Sequence, residues 1–175
     1  MLGHGAAGGV KAPDLAAAAE AAREAGFSVA LVEQPYRVAG RRSPPAARQL
    51  DTAWLAVISQ LGDTVLRDLP LVSGGRSSGA RVACRTAAEA GAAAVLCLAF
   101  PVHPPGRGDD PTKSRLPELD AVAVPVLVVQ GERDPFGMPP DGPNRQVVRV
   151  AGDHSLRAVA PVRAAVAEWL RGLKA

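Results

Sequence analysis

Two stretches of the chain, Ala93 to Ala99 and Val124 to Gln130, are apolar at almost every position and show none of the in-out alternation of a half-buried strand. Strands written this way must be covered on both faces, which is the situation of parallel sheets flanked by helices. The segments between them have helical period. Pro13-Asp14 opens an alanine-rich helix to about Ala25, and Gly26 stops it before a strand from Phe27 to Glu33. A second helix spans about Ala46 to Leu61, with Leu50, Trp54, Val57, Ile58 and Leu61 on one face, ahead of a short strand from Pro70 to Ser73. Further elements are a helix from Ser78 to about Ala90, a strand from Gln146 to Val150 and a last helix from about Leu156 to Leu173. Residues 34–45, 100–116 and 131–144 read as loops. The expected fold is α/β, three layers around a mostly parallel sheet, in one domain over residues 1–175.

Composition narrows the function classes. A chain of 175 residues, 47% hydrophobic and 21% charged, is in the range of a single globular domain. Its net charge of +3 is dispersed, with no basic run longer than Arg41-Arg42, so no nucleic-acid partner is expected. No apolar stretch approaches the roughly 18 residues of a membrane span and no leader pattern opens the chain, so no membrane partner and a cytoplasmic location are expected. Cys84 and Cys97 fit no zinc spacing and read as small buried apolar residues of a reducing compartment. Neither a metal nor a cofactor is implied.

Chemistry enters at Gly75-Arg76-Ser77-Ser78-Gly79, a G-x-S-x-G between a strand and a helix. In that context the motif makes a sharp turn that lifts Ser77 to the C-terminal edge of the sheet, with glycines two residues either side because a Cβ there would strike a neighbouring element. A serine hydroxyl is a weak nucleophile and needs a base, and the base needs an orienting acid. The strand ending at Gln130 delivers Gly131-Glu132-Arg133-Asp134 to the same edge, and the strand ending at Val150 delivers Ala151-Gly152-Asp153-His154. Ser77, Asp134 and His154 therefore form the expected catalytic set, in a chain order that differs from two other serine-protease orders. Asp141 and Asp153 compete for the acid and His103 for the base. The oxyanion donors expected are the backbone amides of Ser78, at a helix start, and of Ala6, in the small-residue loop His4-Gly5-Ala6-Ala7-Gly8. That loop also reads as the dinucleotide pattern Gly3-x-Gly5-x-x-Gly8, with Glu33 as the ribose acid, but Pro13 starts the helix some residues too late for it.

With these residues the chain resembles the α/β-hydrolase superfamily, and within it the small lidless members related to dienelactone hydrolases. The stretches that carry the resemblance are His4 to Gly8, Gln34-Pro35-Tyr36, Gly74 to Gly79, His103-Pro104-Pro105, Gly131 to Gly137 and Gly152 to Ser155. Eukaryotic relatives of that branch include a subunit of a histone-acetyltransferase complex, so a non-catalytic interaction module stands beside the enzyme reading. The resemblance implies a serine hydrolase acting on a small-molecule ester, thioester or related acyl bond. An open site lined by Tyr36, Arg76, His103, Arg107 and Phe136 is expected, because residues 100–123 leave no room for a cap domain. The family carries a strand immediately before its His-Gly loop. With only Met1 to Gly3 in that place, the chain is expected to be truncated at its N-terminus, in what would be a central strand.

Overall fold

The computed structural model of the chain describes residues 1–6 and 8–173. Its sheet contains β1 (Leu2–Gly3), β2 (Leu31–Val32), β3 (Val72–Arg76), β4 (Ala94–Leu98), β5 (Val126–Gly131) and β6 (Arg145–Val150). They lie in the order β2-β1-β3-β4-β5-β6 and every pairing is parallel. The helices are α1 (Pro13–Glu24), α2 (Pro35–Val38), α3 (Ala47–Gly62), α4 (Ser78–Thr86), α5 (Leu116–Asp120) and α6 (Val159–Leu173).

The continuous apolar runs are explained by the layering. Successive residues of β4 enter opposite cores: Leu96 and Leu98 join Leu127, Val129, α1 and α6 on one side, whereas Val95 and Cys97 join Val126, Val128, α4 and α5 on the other. All residues of β4 and β5 are buried as a result. Trp54 and Leu50 of α3 close a third cluster over Met1 and Val82. The two thiols share the α4 core with Sγ atoms 3.5 Å apart. A hydrogen bond to Cys84 and burial hold the Cys97 thiol well above its ordinary range. Among the described residues, no helix is long and apolar enough to cross a membrane.

Six elements depart from the sequence reading. The strand expected over 27–33 shrinks to Leu31–Val32, because β2 pairs only with β1 and that ladder has two rungs; Phe27 and Val29 pack against the α1–α6 core instead. Conversely β3 runs on through Gly74 and Gly75 to Arg76. Its glycines permit close strand approach, since a Cβ on Gly74 would lie 2.6 Å from the Leu96 carbonyl oxygen. Helix α2 arises inside a segment read as a loop, and α5 starts at the last residue of another and runs into a stretch given no element, each too short to show a period. Finally α4 and α6 are shorter than expected, α6 starting at Val159 because Leu156 adopts φ 46°.

Parallel order sends every strand's C-terminal end to one edge. The chain leaves β1 for β2 on one side and returns to β3 on the other, so that edge has a switch point between β1 and β3, where open α/β sheets hold their ligands.

Candidate active site

Ser77 stands between β3 and α4 with φ 51° and ψ −108°, a conformation that costs a non-glycine residue about 1–3 kcal/mol. The surroundings impose it. The Ser77 amide donates to the Leu98 carbonyl at 2.8 Å. Gly75 and Gly79 close on the carbonyl of Gly3, where a Cβ on either would lie 2.4 Å from the oxygen. Glycines are thus required at both positions by the approach of β1 to the turn.

Asp134 follows β5 and His154 follows β6, and their loops converge on Ser77. His154 Nε2 lies 2.9 Å from Ser77 Oγ, and Nδ1 lies 2.8 Å from Asp134 Oδ2. A carboxylate only accepts, so Nδ1 carries the proton and Nε2 presents its lone pair to the serine hydroxyl. Asp134 is fixed by donors on both oxygens: the Phe136 amide to Oδ1 at 2.8 Å and the Gln130 side-chain amide to Oδ2 at 2.8 Å. The Phe136 ring packs against the imidazole, centroids 4.1 Å apart and planes tilted by 32°. The competing acids are occupied elsewhere, Asp141 accepting from the Val147 amide and Asp153 from the Ser155 amide. Hydrogen bonds to Ser155 hold the exposed Asp153 carboxyl below its ordinary value. His103 does not bond Ser77; its Nδ1 meets the Pro104 carbonyl at 2.8 Å, and Gly108 and Gly137 pack against its ring.

The loop after β1 is tied down carbonyl by carbonyl. Gln34 Nε2 donates to the His4 carbonyl at 3.1 Å, His4 Nδ1 to that of Gly5 at 2.7 Å, and the Tyr36 hydroxyl to that of Ala6 at 3.1 Å. The Gln34 amide donates to His4 Nε2 at 3.0 Å, which fixes the Nδ1-protonated tautomer of His4. Ser78, the first residue of α4, has an amide with no acceptor inside the helix. An anion formed at Ser77 would meet a helix N-terminus and a loop whose carbonyls are held by side chains.

Two residues expected to line the site are engaged in building it. Tyr36 is buried and spends its hydroxyl on Ala6. Arg76 is held by internal partners: Nε donates to Asp14 Oδ2 at 2.7 Å and Nη2 to the His154 carbonyl at 2.9 Å. Arg107 is exposed and pairs with Asp110 at 3.5 Å. The sequence reading assigned no role to Asp14, Gln34 or Gln130. Asp14 carried a faint signal, an acid after proline in a first helical turn, and Gln130 was a lone polar residue at the end of an apolar strand. The dinucleotide pattern has no counterpart in shape, since α1 starts at Pro13 and Glu33 is exposed. A separate apolar cavity of about 480 Å³, lined by residues such as Leu2, Phe27, Leu66 and Leu71, holds none of Ser77, Asp134 or His154.

A sequence profile of the alpha/beta hydrolase domain family matches residues 1–160. No curated protein sequence matches the chain. Among solved structures, a lidless alpha/beta serine hydrolase from Xanthomonas campestris superposes with a TM-score of 0.75 at 21% identity, over 98% of this chain and 81% of that one. A second protein of Xanthomonas campestris pv. campestris, assigned to the alpha/beta hydrolase superfamily, gives 0.71 at 21% identity over 98% and 96%. A Butyrivibrio proteoclasticus protein solved with ferulic acid bound gives 0.74 at 17% identity over 99% and 88%.

Proposed function

The chain belongs to the alpha/beta hydrolase family, and from that premise we propose that it is a serine hydrolase cleaving an ester, thioester or related acyl bond through Ser77, His154 and Asp134. The observation that carries this reading is the unbroken hydrogen-bond chain from Ser77 Oγ through His154 to Asp134, at 2.9 and 2.8 Å.

In this reading Ser77 Oγ attacks the acyl carbon as its proton passes to His154 Nε2. The carbonyl oxygen becomes an anion that accepts hydrogen bonds from the Ser78 and Ala6 amides, each worth about 3–4 kcal/mol in the transition state. Collapse expels the alcohol or thiol, which takes the proton from Nε2, and leaves acyl-Ser77. Water then gives a proton to Nε2 as its oxygen attacks the acyl carbon; collapse breaks the bond to Ser77 Oγ, which takes that proton back from Nε2, and the acid is released. Asp134 stays ionised throughout and stabilises the imidazolium. With 27 residues between β4 and β5, occupied by turns and the short helix α5, the substrate reaches Ser77 past Phe136 without a cap domain. A small, compact acyl compound fits such an open approach.

The test is labelling with a fluorophosphonate probe. The wild-type chain is expected to label, Ser77→Ala to lose the label, and Ser78→Ala to keep most of it, because Ser78 contributes an amide and not its hydroxyl. A label retained by Ser77→Ala would remove the assignment. A folded wild-type chain that never labels would favour a non-catalytic interaction module on the same fold.

A further inference from the structure

The residue before the nucleophile makes contacts that the acyl-transfer chemistry does not require. Arg76 ends β3, and its guanidinium is almost enclosed, with 14% of the side chain exposed. One arm is anchored: Nε meets Asp14 Oδ2 at 2.7 Å, and Asp14 is itself buried, its Oδ1 accepting the Leu15 amide at 2.9 Å in the first turn of α1. The other arm, Nη2, holds the backbone carbonyl of His154 at 2.9 Å. Nη1 lies over Gly5, where a Cβ would come within 2.8 Å of it.

The topology explains why such a link matters. His154 follows β6, which is separated from β3 by β4 and β5. Three strand spacings are about 14 Å, so the imidazole is carried back across the sheet on a loop. Resting on the reading above, we propose that Arg76 and Asp14 form a positioning pair that fixes the His154 backbone directly to the strand bearing Ser77. The guanidinium suits this task because it is a planar fork: with one edge locked by a carboxylate, the direction of the other N–H groups is set. A lysine keeps the charge beside Asp14 but cannot hold two acceptors in one fixed plane. Neither residue touches the reacting atoms. Their effect is on where Nε2 sits, and a displacement of about 1 Å at a catalytic group costs about 100-fold in rate.

Two variants test the pair. Arg76→Lys retains the ion pair, and the double variant Asp14→Leu/Arg76→Met removes both charges and leaves neither buried alone. Two readouts are taken on each: the second-order rate of fluorophosphonate labelling at Ser77, and nitrogen-15 NMR of the His154 ring, which reports its tautomer whether or not the protein turns over substrate. Folded variants, checked by thermal melting, are expected to label about 10- to 100-fold more slowly. Their His154 signals should shift from the single Nδ1-protonated form toward a mixture. If either folded variant keeps both the wild-type labelling rate and the wild-type ring signals, the positioning role is overturned. A wild-type chain that does not label, with ring signals that still change in the variants, would sink the hydrolase reading and leave the pair standing. Should the double variant not fold, Arg76→Lys decides alone.

Discussion

Gln130 donates its side-chain amide to the same Asp134 oxygen, Oδ2, that receives His154 Nδ1, each at 2.8 Å. The amide nitrogen also lies 3.1 Å from the Phe100 carbonyl and 2.8 Å from that of Gly137, while Oε1 is buried without a partner among the described residues. Rotating the amide would put its oxygen against three acceptors, so the orientation is forced. Gln130 thereby ties Asp134 to the ends of β4 and β5.

Replacing Gln130 by methionine keeps the volume and removes the donor. Buried acceptors left without a partner cost about 1–3 kcal/mol, and Gln130→Met is expected to lose that much in denaturant unfolding. Labelling of Ser77 should slow about 10-fold as Asp134 loosens. A variant as stable and as reactive as wild type would show that Phe136 alone orients the carboxylate.

The acid is tested by a pair of isosteric changes. Asp134→Asn offers His154 Nδ1 an amide that can present a donor, favouring the wrong tautomer, and a loss of about 10⁴-fold in turnover is expected with little change in melting. Asp153→Asn should stay near wild type, since that carboxylate is exposed and faces the Ser155 amide. The reverse pattern would reassign the acid.

Glycine substitutions separate close approach from mere turn composition. A Cβ on Gly75 or Gly79 would fall 2.4 Å from the Gly3 oxygen, and backbone cannot give way cheaply. Gly75→Ala and Gly79→Ala are each expected to lose at least the roughly 1–3 kcal/mol of overpacking. Gly62, the last residue of α3, has nothing among the described residues within 4 Å of its Cβ position, so Gly62→Ala should gain about 0.4–1 kcal/mol. Urea titrations of the three variants check the contrast.

What the sequence made legible is what local rules write. The apolar runs at Ala94–Leu98 and Val126–Gly131 follow from two-sided burial, and the glycine spacing around Ser77 follows from steric need. The positions of Asp134 and His154 after consecutive strands were readable because parallel connections return every strand end to one edge. Side-chain direction was not readable. Arg76 looked available to a substrate because nothing near it in sequence is acidic, and its partner Asp14 lies sixty-two residues earlier. Tyr36 looked exposed because its segment, rich in turn residues, hid the short helix α2 that turns the ring inward. Both sets of contacts exist only after the sheet has assembled.

The Asp14–Arg76 pair also sets a dependence of stability on pH. Burial raises the Asp14 carboxyl above its ordinary value of 3.8, while the Arg76 charge and the Leu15 amide pull it back down. A carboxyl whose folded value is raised binds its proton more tightly in the native state than in the unfolded chain. Its contribution to stability is therefore fully present below the unfolded value and lost as pH rises through the folded one. In Arg76→Met the opposing charge is gone, the folded value climbs further, and ionising Asp14 leaves a buried carboxylate without its ion partner. Breaking such a pair costs about 3–5 kcal/mol, or roughly 10 °C in melting temperature for a chain of this size. The deficit of Arg76→Met against wild type is thus expected to be small at pH 4 and to widen toward pH 8. Asp14→Leu/Arg76→Met, which has no carboxylate to ionise there, should run parallel to a control across the same range. Thermal melts at pH 4, 6 and 8 decide it, because a deficit of Arg76→Met that is constant with pH would mean that Asp14 is not the group left unpaired.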